Sequence, residues 1–279
     1  MNSKVAQSLS IVLGNACTFK CRHCAIVGTP KPQLSVAEIS LLINTINRVR
    51  FDNLLLVGGE PTLYIPVINE LMSAVEYSPR VIVTTNGGFA DTEERAIETL
   101  RQIERLNEVQ LSYDRFHQEF LAIEKVGNLK KSCDSLGLRF SVILTIKSPV
   151  ELSMIAQLRK FGDFTIGVQK VVPYGAAKEN RISFEYPSFD KEILARSCPN
   201  KDNMVYVCGR GFSVCDIPRR GYEGYFFETV EELQASGFYR KITSCNFGDL
   251  LREVGVNADT LSADCSCPCV LCEKVFQGV

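Results

Sequence analysis

The sequence predicts an α/β fold of six strand–helix units followed by a small cysteine-rich α+β C-terminal domain. Short apolar runs alternate with amphipathic helical stretches six times between residues 8 and 172. The runs are apolar along their length, as expected of parallel strands covered by helices. The second part rests on cysteine: of 12 in the chain, eight lie between Cys198 and Cys272, beyond a long cysteine-poor body.

The elements follow in order. Residues 8–14 (SLSIVLG) form the first strand. Ser35 caps a helix whose apolar positions are Val36, Ile39, Leu42, Ile43 and Ile46, and Glu38 completes a capping box. Residues 54–57 form a buried strand that runs into Gly58-Gly59-Glu60-Pro61, with a helix over 65–76. A strand over 81–84 leads into Thr85-Asn86-Gly87-Gly88, and Asp91 caps a helix to residue 103. A strand over 109–112 precedes a helix over 116–135 that ends at Gly137. A strand over 140–146 is followed by Pro149, which opens a helix to residue 161. The sixth strand, 164–172, closes at Pro173-Tyr174-Gly175.

The polar stretch 176–197 marks a boundary, giving domains of residues 1–180 and 181–279. In the second, 204–207 and 212–215 flank Cys208-Gly209-Arg210-Gly211 as a β-hairpin, and 228–236 form a short helix. The tail from Cys245 reads as irregular and would not fold alone without metal.

Parallel strands joined by right-handed helices make an open doubly wound sheet or a barrel, and six units are too few for a full eight-stranded barrel. In both architectures ligands sit at the carboxyl ends of the strands. Cys17 to Cys24, Gly58 to Pro61, Asn86-Gly87 and Asp114 fall at those ends and converge on one rim.

Charge narrows the function classes. Lys and Arg number 31 against 32 Asp and Glu, a net charge of −1, which argues against a nucleic-acid binder or an electrostatic membrane binder. No apolar run approaches the roughly 20 residues that span a bilayer. The N-terminus lacks the apolar segment of a signal peptide, so a cytoplasmic location is expected. In a reducing compartment the cysteines are metal ligands rather than disulfides. With His23 and His117 the only histidines, all-thiolate zinc or iron–sulfur sites are favoured.

Cys17, Cys21 and Cys24 supply three thiolates on one loop. Three thiolates bind three irons of a [4Fe–4S] cube and leave the fourth open to a cofactor or substrate. The alternative is a structural zinc or iron site whose fourth ligand comes from elsewhere.

The chain resembles the radical SAM enzymes at several points. Cys17, Cys21 and Cys24 match the family's CxxxCxxC, with His23 at the usually aromatic position before the last cysteine. Gly58-Gly59-Glu60-Pro61 matches its GGEP element. Thr85-Asn86-Gly87, Ser112-Tyr113-Asp114 and Val172-Pro173-Tyr174-Gly175 resemble the elements after its third, fourth and sixth strands. The resemblance covers residues 8 to 175 and implies a partial (β/α)6 TIM-type barrel. It implies that S-adenosylmethionine (SAM) chelates the open iron. Gly58 and Gly59 would allow close approach, and their carbonyls and Glu60 would accept from the ammonium, with Pro61 completing the motif. Ser112 and Asn86, with Asp114 less directly, are candidates for the carboxylate or ribose. The backbone of His23, and Val172, would border adenine. One electron then cleaves SAM, and the 5′-deoxyadenosyl radical takes a hydrogen atom from the substrate. A flavodoxin- or ferredoxin-type reductant is implied.

Single residues keep their alternatives. His117 either faces the site or lies on a surface turn, Tyr113 and Arg115 either touch substrate or serve structure, and Cys133 reads as a core thiol.

The C-terminal cysteines resemble the SPASM/twitch extension of some radical SAM enzymes, which binds auxiliary [4Fe–4S] clusters. Cys198, Cys215, Cys269 and Cys272 form the best set for one cluster. Cys208, Cys245, Cys265 and Cys267 would bind a second, or one would stay a free thiol; a zinc knuckle is the alternative. The run Cys265-x-Cys267-x-Cys269-xx-Cys272 is compressed relative to the family's two-cluster pattern.

The expected activity is hydrogen abstraction from a ribosomally synthesised peptide, ending in oxidation, crosslinking or epimerisation. An auxiliary cluster would accept an electron in the first two cases, and Cys245 or Cys208 would return a hydrogen atom in the third. Against a peptide, the chain begins directly at its first strand, with no leader-binding domain ahead of it. The alternatives are a dehydrogenase or epimerase of a small molecule such as a sugar or aminocyclitol and, in another class, a non-catalytic electron carrier. Gly58 to Pro61 argues against the carrier, which needs no SAM pocket.

Overall fold

A computed structural model describes residues 6–25, 32–215 and 225–276. Eight strands form one sheet: β1 (Ser8–Val12), β2 (Asn53–Val57), β3 (Arg80–Thr85), β4 (Leu106–Ser112), β5 (Arg139–Ile146), β6 (Thr165–Lys170), β7 (Asn203–Val207) and β8 (Gly211–Ser213). The order is β6-β5-β4-β3-β2-β1-β7-β8. Strands β1 to β6 pair in parallel with their chain neighbours, β7 pairs in parallel with β1, and β8 turns back antiparallel on β7. The six sequential parallel strands fit a partial TIM-type barrel.

Between the strands run α1 (Val36–Val49), α2 (Ile65–Ser73), α3 (Glu93–Arg101), α4 (Ile123–Ser135) and α5 (Met154–Leu158). After β6 come the short α6 (Ala176–Glu179) and, past the hairpin, α7 (Val230–Ala235), α8 (Gly237–Ser244), α9 (Phe247–Glu253) and α10 (Pro268–Phe276). No helix among the described residues is long and apolar enough to cross a membrane.

Local chemistry sets the helix starts. Ser35 and Glu38 form the expected capping box on α1. Two starts differ from the sequence reading. Thr92, not Asp91, caps α3, while Asp91 pairs with Lys125 and Arg95. α4 begins at Ile123 rather than Phe116, because the Asp114 carboxylate accepts the N–H groups of Phe116 and His117 and holds a run of turns there. The tail after Cys245 is not irregular, since it contains α9 and α10.

The strands are not apolar on both faces. Their outer face carries Leu9, Ile11, Leu54, Leu56, Val81 and Val83 into one helix-covered core, and Val109, Leu111 and Leu144 into a second. The inner face is largely polar and pairs across strands. Asn53 donates to Ser8 (3.0 Å) and Thr84 to Gln110 (3.0 Å), while Glu108 takes the Arg80 guanidinium and the Ser141 hydroxyl (2.7 Å). The expectation of strands apolar along their length is thus met on the helix-covered face alone, because the polar side chains of the inner face satisfy one another across strands.

The C-terminal third is not laid beside this core but enters it. Met204, Tyr206, Phe212, Leu233, Phe247, Leu250 and Leu271 share the first core with Leu9 and Ile11. Val205 and Val207, pointing the other way, join Val12 and Val57 on the inner face.

Candidate functional site at the strand ends

The loop after β1 is held by the ends of its neighbours. The N–H groups of Gly59 and Glu60 donate to the carbonyls of Gly14 (3.0 Å) and Ala16 (2.8 Å), so the end of β2 carries the base of the cysteine loop. A Cβ at Gly59 would stand 2.0 Å from the Ala16 carbonyl oxygen. The glycine is therefore required for loop packing, a role the sequence reading assigned to cofactor approach. Tyr64, 4% exposed, accepts from the Ala16 N–H (2.6 Å) and donates to the Pro32 carbonyl (2.9 Å). Nothing in the sequence marked this tyrosine.

Glu60 is also turned inward. Its carboxylate accepts from Thr62 (N–H 3.2 Å, hydroxyl 2.8 Å), the Thr85 hydroxyl (2.7 Å) and the Asn86 N–H (2.8 Å). Burial pushes its carboxyl up and these donors oppose the rise. The side chain thus ties the end of β2 to that of β3. Pro61 is buried and opens the following 3-10 turn. Asn86, 6% exposed, donates its amide to the Cys17 sulfur (3.5 Å) and the Thr18 hydroxyl (3.1 Å), while its Oδ1 accepts the Gly88 N–H (2.8 Å). It grips the cysteine loop instead of facing the open rim. Ser112 ends β4 on the inner face, half-buried, and Val172 is half-buried beyond β6.

Cys17 is exposed, Cys21 and Cys24 half-buried. Burial, then the charges of Cys24, Asp114 and Cys17, push the Cys21 thiol up to about 12. The three sulfurs therefore act on one another across one small volume. Three mutually repelling thiolates on one loop are the donor set that a cationic metal cluster relieves.

The far side of the loop meets the end of β6. The Ala176 N–H donates to the Cys24 carbonyl (2.9 Å), and Asn180 donates to that of Arg22 (3.0 Å). Gly175 has φ +53°, and a Cβ there would lie 2.6 Å from the Cys24 carbonyl oxygen.

Asp114 is fully buried at the end of β4. Its Oδ1 accepts the N–H groups of Phe116 (2.8 Å) and His117 (3.1 Å), and its Oδ2 faces His117 Nδ1 (3.0 Å) and His23 Nε2 (3.4 Å). Burial by itself would raise this carboxyl, but the two facing imidazoles outweigh it and hold it well below the usual range. The carboxylate thus points at the two histidines. His23 stacks on Phe116 with ring centroids 4.4 Å apart. Of the two readings for His117, the structure takes the inward one. Cys133 lies in the second core, where burial pushes its thiol up to about 12, as expected of a core thiol.

A second thiol group forms in the tail. The charges of Cys215, Cys267 and Cys272 all act on Cys269, whose thiol is pushed far up, first by its hydrogen bond to Cys267 and then by burial. Cys267 is held down at about 6 by that hydrogen bond, against burial, with further help from backbone N–H groups and Lys170. The group links Cys267 to Cys215, Cys269 and Cys272 of the expected set. Cys198 and Cys245 instead flank a bridge between Ser197 and Asn246, and both pack on the first core beside the buried Cys208 and Cys265. Cys208 and Cys245 therefore border the helix-covered core. One tyrosine joins the two thiol groups. Tyr174, just before Gly175, donates to the Cys269 carbonyl (2.9 Å) and lies 3.3 Å from a Glu273 carboxylate oxygen.

Residues 11–138 match the family described as the Radical SAM superfamily. No curated relative matches the chain by sequence. Among solved structures the fold is similar to Streptococcus suis SuiB bound to precursor peptide SuiA, with TM-score 0.52 and 14% identity over 86% of this chain and 67% of that one. It is also similar to native anSMEcpe with bound AdoMet and Cp18Cys peptide, with TM-score 0.59 and 15% identity over 84% and 82% of the two chains.

Proposed function

From the radical SAM domain that residues 11–138 form, we propose that the chain is an enzyme that abstracts hydrogen from a peptide and carries an auxiliary cluster in its tail. The domain binds a [4Fe–4S] cluster and SAM; bound there, they supply one-electron cleavage of SAM and removal of a hydrogen atom from the substrate. The observation that carries the reading is the convergence of Cys17, Cys21 and Cys24 on a loop that the ends of β2 and β6 hold by backbone hydrogen bonds and the end of β3 by the Asn86 side chain.

The chain's own residues have separable tasks in this reading. Cys17, Cys21 and Cys24 hold the cluster. Gly58, Gly59 and Glu60 fix the loop against β2, and Asn86 donates to the Cys17 sulfur. Ser112 offers a hydroxyl from the inner face, the His23 backbone and Val172 border the adenine side, and the polar inner face receives the substrate. Cys215, Cys267, Cys269 and Cys272 hold the auxiliary cluster, a set supported by their mutual charge interactions. A peptide substrate is supported by the neighbours, whose solved structures contain SuiA and the Cp18Cys peptide.

Anaerobically reconstituted protein given dithionite is expected to convert SAM to 5′-deoxyadenosine and methionine, read by chromatography. The triple variant Cys17→Ala, Cys21→Ala, Cys24→Ala is expected to lose this entirely while keeping the tail's iron. Undiminished 5′-deoxyadenosine from the variant would overturn the cluster assignment, and an iron-free variant would remove the auxiliary cluster.

A further inference from the structure

The chain has two histidines, and the fold brings both to one carboxylate. His23 comes from the cysteine loop, His117 from the turn before α4, and Asp114 from the end of β4. Among the described residues, His23, Asp114 and His117 form a set whose metal-ligating atoms lie within 4.8 Å of one another. The histidine side chains are 11% exposed and that of Asp114 is 0% exposed. Asp114 Oδ2 and His117 Nδ1, two of the three atoms of that set, are buried and face each other at 3.0 Å without the alignment of a full hydrogen bond. Buried polar atoms without partners cost free energy, on the order of 1–3 kcal/mol each, so a group of them in one place needs an occupant.

We propose that His23 Nε2, His117 Nδ1 and Asp114 Oδ2 bind one divalent transition-metal ion of the zinc or iron(II) class, separate from the cysteine sites. The spacing suits it. Ligand atoms about 2.0–2.1 Å from a zinc ion stand roughly 3.3 Å apart in a tetrahedron and roughly 2.9 Å apart in an octahedron. The observed separations from Asp114 Oδ2 are 3.0 Å and 3.4 Å. Two imidazoles and one carboxylate select zinc or iron over magnesium or calcium, which prefer oxygen ligands, and they leave coordination positions open. The supports are in place. Oδ1 of Asp114 is fixed by two backbone N–H groups, which aims Oδ2 at the imidazoles, and Phe116 stacks on His23. An ion here ties the cysteine loop to the end of β4 and places positive charge beside Cys21, which feels the Asp114 charge.

The test is zinc binding to reconstituted, EDTA-washed protein whose cysteines already carry their clusters. One zinc per chain is expected after gel filtration. The extended fine structure above its X-ray absorption edge should show nitrogen and oxygen neighbours at about 2.0–2.1 Å and no sulfur shell at about 2.3 Å. His117→Gln should weaken zinc affinity at least roughly 10–100-fold, the loss expected even from groups that only support a metal ligand, with iron content unchanged. Asp114→Asn should weaken it as well. No retained zinc, a sulfur shell on the parent protein, or full zinc retention by H117Q would overturn the proposal. The zinc fine structure of the parent decides the matter without either variant, and none of these readouts involves SAM cleavage.

Discussion

The amide of Asn86 reaches Cys17 from the end of β3, and no other described side-chain hydrogen bond from outside the loop touches that sulfur. Hydrogen bonds to cluster sulfurs stabilise the reduced, more negative state and so raise the potential. Replacing Asn86 with Leu removes the donor and keeps the volume. With a hydrogen bond at about 1 kcal/mol and one electron transferred, the potential should fall by roughly 40 mV. A redox titration followed by electron paramagnetic resonance checks this, and an unchanged or raised potential would refute it. The sequence showed that Asn86 stands at a strand end, but not which way its amide points. A side chain at a strand end can face the rim or its neighbour, and long-range packing decides. The same holds for Glu60, whose motif was recognised while its inward orientation was not.

At the scale of the element, α1 is anchored by one carboxylate doing two tasks. Glu38 Oε2 accepts the Ser35 N–H (2.9 Å) and hydroxyl (2.6 Å), and Oε1 accepts the Gly209 N–H (2.6 Å) and the Tyr206 hydroxyl (3.2 Å). Ser35→Ala removes a cap, about 1 kcal/mol, or a melting point lower by roughly 2–4 °C. Glu38→Ala also strands the Gly209 and Tyr206 donors, about 2–4 kcal/mol in all, and should lower it by roughly 5–12 °C. Differential scanning fluorimetry on both variants tests the order, and equal shifts would mean that the tie to β7 carries no weight. The capping box was readable because both partners lie within four residues. Its second use was not, because Gly209 is 171 residues away. Local competition explains the misread start of α4, where the Asp114 side chain satisfies the first N–H groups of a turn. The tail helix α10 did carry a signal, since Pro268 opens it as proline commonly does in a first turn.

For the whole molecule, the path from strand pattern to architecture runs through an edge that no local pattern reveals. Six sequential parallel strands follow from their βα period, yet nothing in residues 203–207 states that they pair with β1 rather than stand in a separate hairpin. The pairing makes the C-terminal third a cover for the first core. Removing residues 181–279 takes away β7 and uncovers β1 along its length. It also strips out Met204, Tyr206, Phe212, Phe247, Leu250 and Leu271, all buried in the core that holds Leu9 and Ile11. At about 1.5–3 kcal/mol for each large apolar side chain, these six alone amount to roughly 9–18 kcal/mol. A domain has about 5–15 kcal/mol of total stability, so the remainder should not hold its fold. Residues 1–180 produced alone are therefore expected to be insoluble, or soluble with strong binding of a hydrophobic dye and no cooperative melting transition. A fragment that melts cooperatively and binds iron at Cys17, Cys21 and Cys24 would instead make the tail a separable appendage, with the pairing of β7 on β1 contributing little to the barrel.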